Sequence, residues 1–82
     1  MTRLNGRLTA LVASVLDLPP AEAEAASADS TPTWDSLAHL RLLMAVEEEY
    51  GVSFSADEIA ELDSVERIGE TVERLLGERS TP

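Results

Sequence analysis

Trp34-Asp35-Ser36-Leu37 ends a polar, helix-poor segment and opens the longest apolar helix pattern in the chain. Asp35 and Ser36 are both good helix N-cap types, because a short side-chain oxygen accepts a bond from an orphan backbone N–H. A serine at a helix N-terminus has a second property. A phosphate on its oxygen would sit among free N–H donors at the positive end of the helix dipole. Beyond Ser36 the pattern predicts a helix over about residues 36–50. Leu37, Leu40, Leu43, Met44 and Val46 form its expected buried stripe. Glu47-Glu48-Glu49 fall at its C-terminal end, where the dipole disfavours negative charge, and Gly51 is the expected stop. The acidic run reads equally as a solvated face or as a recognition surface.

Upstream, Leu4, Leu8, Leu11, Val12, Val15 and Leu16 recur at helical spacing and predict a helix over about 2–16. Pro19-Pro20 ends it. Residues 17 to 35 hold almost no large apolar side chain. Ala21 to Ala26 suit a brief helical turn inside a long loop, and a loop this long in a small domain is usually functional or disordered. Downstream, Val52-Ser53-Phe54 is a short extended link. Ser55 and Glu58 have capping-box spacing and predict a short helix over about 56–62. Asp63 and Glu66 repeat the spacing before a last helix over about 64–76. Val65, Ile68, Val72, Leu75 and Leu76 are its stripe, Gly77 its stop and residues 78–82 a frayed tail. The fold class is all-α: one domain over residues 1–82, a four-helix bundle with three main helices, one short helix and a long first loop.

The 82 residues bury only a small core. Six Arg and no Lys face sixteen Asp plus Glu, a net charge of −10. Such a chain repels nucleic-acid phosphates and anionic membrane surfaces, and favours partners with basic patches. It has no cysteine, which excludes a disulfide framework, a thiolate metal site and a cysteine nucleophile. With one His and no calcium-loop motif, no metal site is expected. No apolar run nears the roughly 20 residues of a membrane span, and no signal peptide is apparent, so a cytoplasmic monomer is expected.

From Trp34 onward the chain resembles an acyl carrier protein. The resemblance rests on Asp35-Ser36-Leu37, Leu40, the run from Met44 to Val52, the short helix near Ile59 and Val65-Glu66-Arg67-Ile68. It implies a right-handed four-helix bundle whose Ser36 carries 4′-phosphopantetheine, moved from coenzyme A by a phosphopantetheinyl transferase. Substrates then ride on the arm as thioesters, and the carrier itself is non-catalytic. The tether raises their effective concentration at each docked enzyme. Loading enzymes and downstream synthases or transferases would dock through Trp34, Asp35, Leu37, Arg41, Glu47 and Glu48. Leu40, Met44, Val46, Ile59, Leu62 and Ile68 are core by default and, for a greasy cargo, the walls of an acyl pocket. Carriers of fatty acid synthesis usually have acids two and five residues after the serine; here stand Ala38 and Arg41. With Trp34, these point to free-standing carriers of polyketide, glyceryl or aminoacyl units in specialised metabolism, with a fatty-acid-synthesis carrier as the alternative within the class.

Two other readings of the residues stay open. One is an unmodified acidic helical interaction module. The other is a small hydrolase using Asp35, Ser36 and His39, disfavoured because the aspartate adjoins the serine instead of orienting the imidazole. Otherwise His39 is a surface residue within reach of a phosphate or partner. Trp34 is either a partner anchor or a pin for the loop, and Arg41 either pairs with Glu48 or Asp35 or selects a partner.

Overall fold

The computed structural model describes residues 3–80, with side chains from 6 to 77. Five helices follow one another: α1 Arg3–Leu16, α2 Pro20–Ala23, α3 Ser36–Tyr50, α4 Ala56–Glu61 and α5 Val65–Ser80. Three long and two short helices are the all-α architecture expected. Among the described residues none is long and apolar enough to cross a membrane.

Helix α1 turns Leu8, Val12 and Leu16 inward at i, i+4, i+8 spacing. The Leu4 side chain lies outside the described residues. The helix stops because Asp17 takes φ 57° and the Leu18 N–H reaches back to the Ala13 carbonyl at 3.0 Å. That is a Schellman stop built on aspartate, one of the few non-glycine types that tolerate the left-handed region. The expected turn after the prolines is α2, with Pro20 at its first position and Ala23 buried.

The long first loop is ordered by backbone bonds. Ala28 N–H donates to the Asp63 carbonyl at 2.8 Å, and Val65 N–H to the Ala26 carbonyl at 3.1 Å. These bonds flank a single antiparallel bridge between Ser27 and Ser64. Ala26, Thr31 and Trp34 are buried along the loop, so it closes one side of the bundle.

Helix α3 is anchored by Leu42, Leu43 and Val46, all buried, and packs against α1. This corrects the expected stripe. Leu37, Leu40 and Met44 are 60%, 50% and 64% exposed. The helix carries two apolar arcs at helical spacing on opposite sides, and the core takes the arc that includes Leu42. At its end Gly51 adopts φ 66°, ψ 37°, the left-handed stop expected. The Glu47 carboxylate turns back to accept the Phe54 N–H at 2.7 Å and fixes the link to α4.

The Ser55–Glu58 capping box is present in both directions, at 2.9 and 3.1 Å. The Ser55 N–H first and the Arg74 guanidinium second hold the Glu58 carboxyl below the usual carboxylate range. The next cap is one residue later than expected. Ser64, not Asp63, accepts the Arg67 N–H at 3.2 Å, because the Asp63 backbone is committed to the loop bridge. Helix α5 buries Val65, Ile68 and Val72. It runs through Gly77 to Ser80, so Gly77 does not stop it. The rest of the expected tail, residues 81 and 82, lies outside the described residues. Leu8, Val12, Leu16, Leu42, Leu43, Val46, Ile68 and Val72 are the largest fully buried side chains. Each contributes roughly 1.5–3 kcal/mol of burial.

Candidate functional site at the start of helix α3

Asp35 and Ser36 divide the work at the helix start. Asp35 is the N-cap: its carboxylate accepts the Ala38 N–H at 2.8 Å, and its carbonyl the His39 N–H at 2.8 Å. Ser36 is thereby the first helical residue and has no capping duty. Its side chain is exposed and, among the described residues, takes part in no hydrogen bond. The Ser36 and Leu37 N–H groups likewise have no protein acceptor. An exposed hydroxyl therefore stands beside two free donors at the positive end of a 15-residue helix.

His39 is not the surface residue expected. It is half-buried, and both ring nitrogens are engaged. The Trp34 indole N–H donates to His39 Nδ1 at 2.9 Å, with the rings stacked at 6.1 Å and 28°. The opposite nitrogen, Nε2, lies 2.7 Å from the Ile59 carbonyl oxygen. An Nδ1 that accepts leaves the neutral ring's proton on Nε2, which donates to Ile59. That carbonyl lacks its helical partner, since the Asp63 N–H bonds Glu61 instead. His39 thus caps the end of α4 and ties α3, α4 and the loop together. With both nitrogens so used, it does not stand as a base for Ser36.

Trp34 is only 4% exposed. Of its two expected roles, it fills that of the loop pin, and it offers a partner almost no surface. Trp34, Asp35, Ser36, His39 and Leu40 form one wall of a shallow groove of about 440 Å³, with Ala28, Ala60 and Asp63 opposite. Of the six residues expected around an acyl pocket, Leu40 lines this groove. Met44 points to solvent, Ile59 is half-buried, and Val46, Leu62 and Ile68 are buried in the core.

The expected docking residues separate in the same way. Leu37, Arg41 and Glu48 are exposed on the outward face of α3, and Asp35 is exposed at its start. Glu47 is half-buried on the Phe54 N–H. Arg41 pairs with neither Glu48 nor Asp35; the ion pairs of the described residues are Arg7–Glu49, Arg67–Asp63 and Arg74–Glu58. Sequence reasoning missed Ala28, Ala60 and Asp63. Two are alanines; Ala28 and Asp63 reach the groove through the loop bridge and Ala60 through its place on α4, which leaves no local pattern around Ser36.

No curated protein matches the chain. A family model does, that of the phosphopantetheine attachment site, over residues 6–72. The match takes in the exposed serine, its helix and every element that frames the groove. The chain belongs to the phosphopantetheine-attachment family, the carriers defined by covalent 4′-phosphopantetheine.

Proposed function

We propose that Ser36 is the attachment point, and that the chain is a free-standing carrier of acyl, aminoacyl or glyceryl units in a polyketide or other specialised-metabolite pathway. The observation that carries this reading is the release of Ser36 from capping: Asp35 bonds Ala38, and the serine hydroxyl is left exposed and unbonded. The residues fit the group. A phosphodiester on Ser36 would meet the free N–H groups of Ser36 and Leu37, and the helix dipole favours such an anion by about 0.3–1 kcal/mol. Once attached, the arm supplies a terminal thiol on which substrates are held as thioesters.

The chain's own part is presentation. Asp35 fixes the helix start, Trp34 and His39 hold the loop against α4, and Ser36 provides the acceptor oxygen. Catalytic groups belong to the partners: a phosphopantetheinyl transferase, an acyl- or aminoacyl-loading enzyme and downstream synthases. The carrier works as a monomer in the cytoplasm beside them. Ala38 and Arg41, where fatty-acid-synthesis carriers usually have acids, support the specialised pathway over that alternative.

The test is intact mass. The purified chain and Ser36→Ala are incubated with coenzyme A, Mg²⁺ and a broad-specificity phosphopantetheinyl transferase. The native chain gains one phosphopantetheine and the variant none. No gain on a native chain shown to be folded by circular dichroism overturns the reading in favour of the unmodified interaction module.

A further inference from the structure

The two partners of the His39 ring make opposite demands on it. The Trp34 indole N–H is a donor and nothing else, so Nδ1, 2.9 Å away, must accept. The Ile59 carbonyl is an acceptor and nothing else, so Nε2, 2.7 Å away, must donate. The neutral ring meets both demands with a single proton on Nε2. The imidazolium carries an N–H at each nitrogen and meets only the second. Its Nδ1–H would point at the indole N–H with no lone pair between them, so charging the ring breaks the bond to Trp34.

The charged groups that share the groove with this ring are Asp35, from the loop, and Asp63, from the segment after α4. Helix α4 contributes Ala60 to that lining, and α3 contributes Ser36 and Leu40. Asp35 is engaged on the Ala38 N–H and Asp63 with Arg67 at 3.5 Å. Neither carboxylate is bonded to the ring. Trp34 is 4% exposed, so an indole N–H that loses its acceptor has little water to turn to where it stands. It is satisfied only if the end of the loop moves.

We propose that the Trp34–His39 pair is a proton-operated latch: one proton taken up at His39 Nδ1 frees the indole and loosens the loop where it leads into Ser36. The neutral ring is the latched state. Because His39 is the only histidine and there is no cysteine, imidazole is the one side-chain type in this chain that ordinarily exchanges its proton between about pH 5 and 8. The inference concerns the order of the Trp34-Asp35-Ser36 segment and holds whatever Ser36 carries.

The experiment uses the full chain without modification. Trp34 is the only tryptophan, so its indole N–H gives one resonance in a proton–nitrogen NMR spectrum. That resonance is expected to move toward its unfolded-chain position together with the His39 ring protons, at whatever pH the ring charges. Urea titrations then read the linkage. An unfolded chain's imidazole takes up its proton between about pH 7.5 and 5.5, whereas the folded ring gives up a bond to do so. The unfolded state therefore binds more protons, and stability falls with pH. The folding constant of the native chain, divided by that of His39→Phe at the same pH, should fall at least about threefold across this window, and at most the roughly tenfold open to one proton. His39→Phe retains all sixteen acids, so the division removes their titration. A ratio that is constant or rises toward acid overturns the latch. So does an indole resonance that stays in place while the ring charges, a result that needs no variant.

Discussion

Replacing His39 with Phe is the sharpest probe of how the site is held. Phe keeps an aromatic ring beside Trp34 and removes both hydrogen bonds. The Trp34 N–H, in a residue 4% exposed, loses its acceptor at 2.9 Å. The Ile59 carbonyl, already deprived of its helical donor, loses the His39 Nε2 partner at 2.7 Å. A buried donor left unsatisfied costs about 1–3 kcal/mol, and a carbonyl that water can partly reach costs about 1 kcal/mol or less. The sum is about 1–4 kcal/mol. That is a large share of the roughly 4–12 kcal/mol typical of a domain this size. It corresponds to a fall in Tm of roughly 5–30 °C.

Trp34 is the only tryptophan, so its fluorescence reports the loop directly. Urea titrations followed by circular dichroism and by fluorescence give the stability of the bundle and of the loop separately. His39→Phe is expected to shift the fluorescence transition at least as much as the dichroism transition, with emission moved to the red. A cycle with Trp34→Phe isolates the bond between the two side chains, for which a coupling of about 1 kcal/mol is expected. A Tm within about 3 °C of native, or a coupling near zero, would refute the claim that His39 fastens the loop and α4.

Three further substitutions test other joints of the fold. Tyr50→Phe removes a buried hydroxyl that has no hydrogen-bond partner and whose ionisation burial pushes upward; stability by urea titration should be unchanged or slightly higher, and a loss above about 1 kcal/mol would show that the hydroxyl has a partner. Gly51→Ala puts a β-carbon on a residue at φ 66° and should cost about 1–2 kcal/mol in the same assay; no loss would mean the helix ends without the left-handed residue. Glu58→Gln keeps an acceptor for Ser55 but gives up the charge that Arg74 pairs with. Because the folded carboxyl is depressed, its stabilisation is present when ionised and is lost as pH falls below its ordinary value of 4.5. The native and Glu58→Gln stabilities should therefore differ at pH 7 and converge in acid, and a constant gap across that range would count against the pairing.

The readable features of the chain were those fixed by neighbours in sequence. The Ser55–Glu58 box, the Gly51 stop and the start of α3 at Asp35-Ser36 each depend on residues within a few positions, and each stands in the structure. Features that needed the third dimension were misread. Leucines at 37, 40, 42 and 43 support two opposite stripes on α3, and only packing into the core against α1 selects the one with Leu42. Asp63 and Ser64 are both able to cap α5; the loop bridge decides for Ser64 by engaging the Asp63 backbone. Gly77 resembles a stop, yet glycine permits the left-handed turn without requiring it, and α5 continues. The tie between His39 and Ile59 spans twenty positions and joins a side chain to a carbonyl, so no spacing rule announces it.

The division between Asp35 and Ser36 bears on how a loss of modification is to be interpreted. A serine that capped its helix would be a poor target for substitution, since Ser→Ala at an N-cap costs about 1 kcal/mol and mixes unfolding with lost chemistry. Here the cap is Asp35, and Ser36 contributes one exposed, unbonded hydroxyl at the first helical position. Alanine has the higher helix propensity of the two, by a few tenths of a kcal/mol. Ser36→Ala should therefore melt at or slightly above the native temperature. If it does, absence of the mass gain in that variant reports the missing oxygen alone. If Ser36→Ala melts well below native, the serine has a structural partner after all, and the argument that frees it for attachment loses its footing.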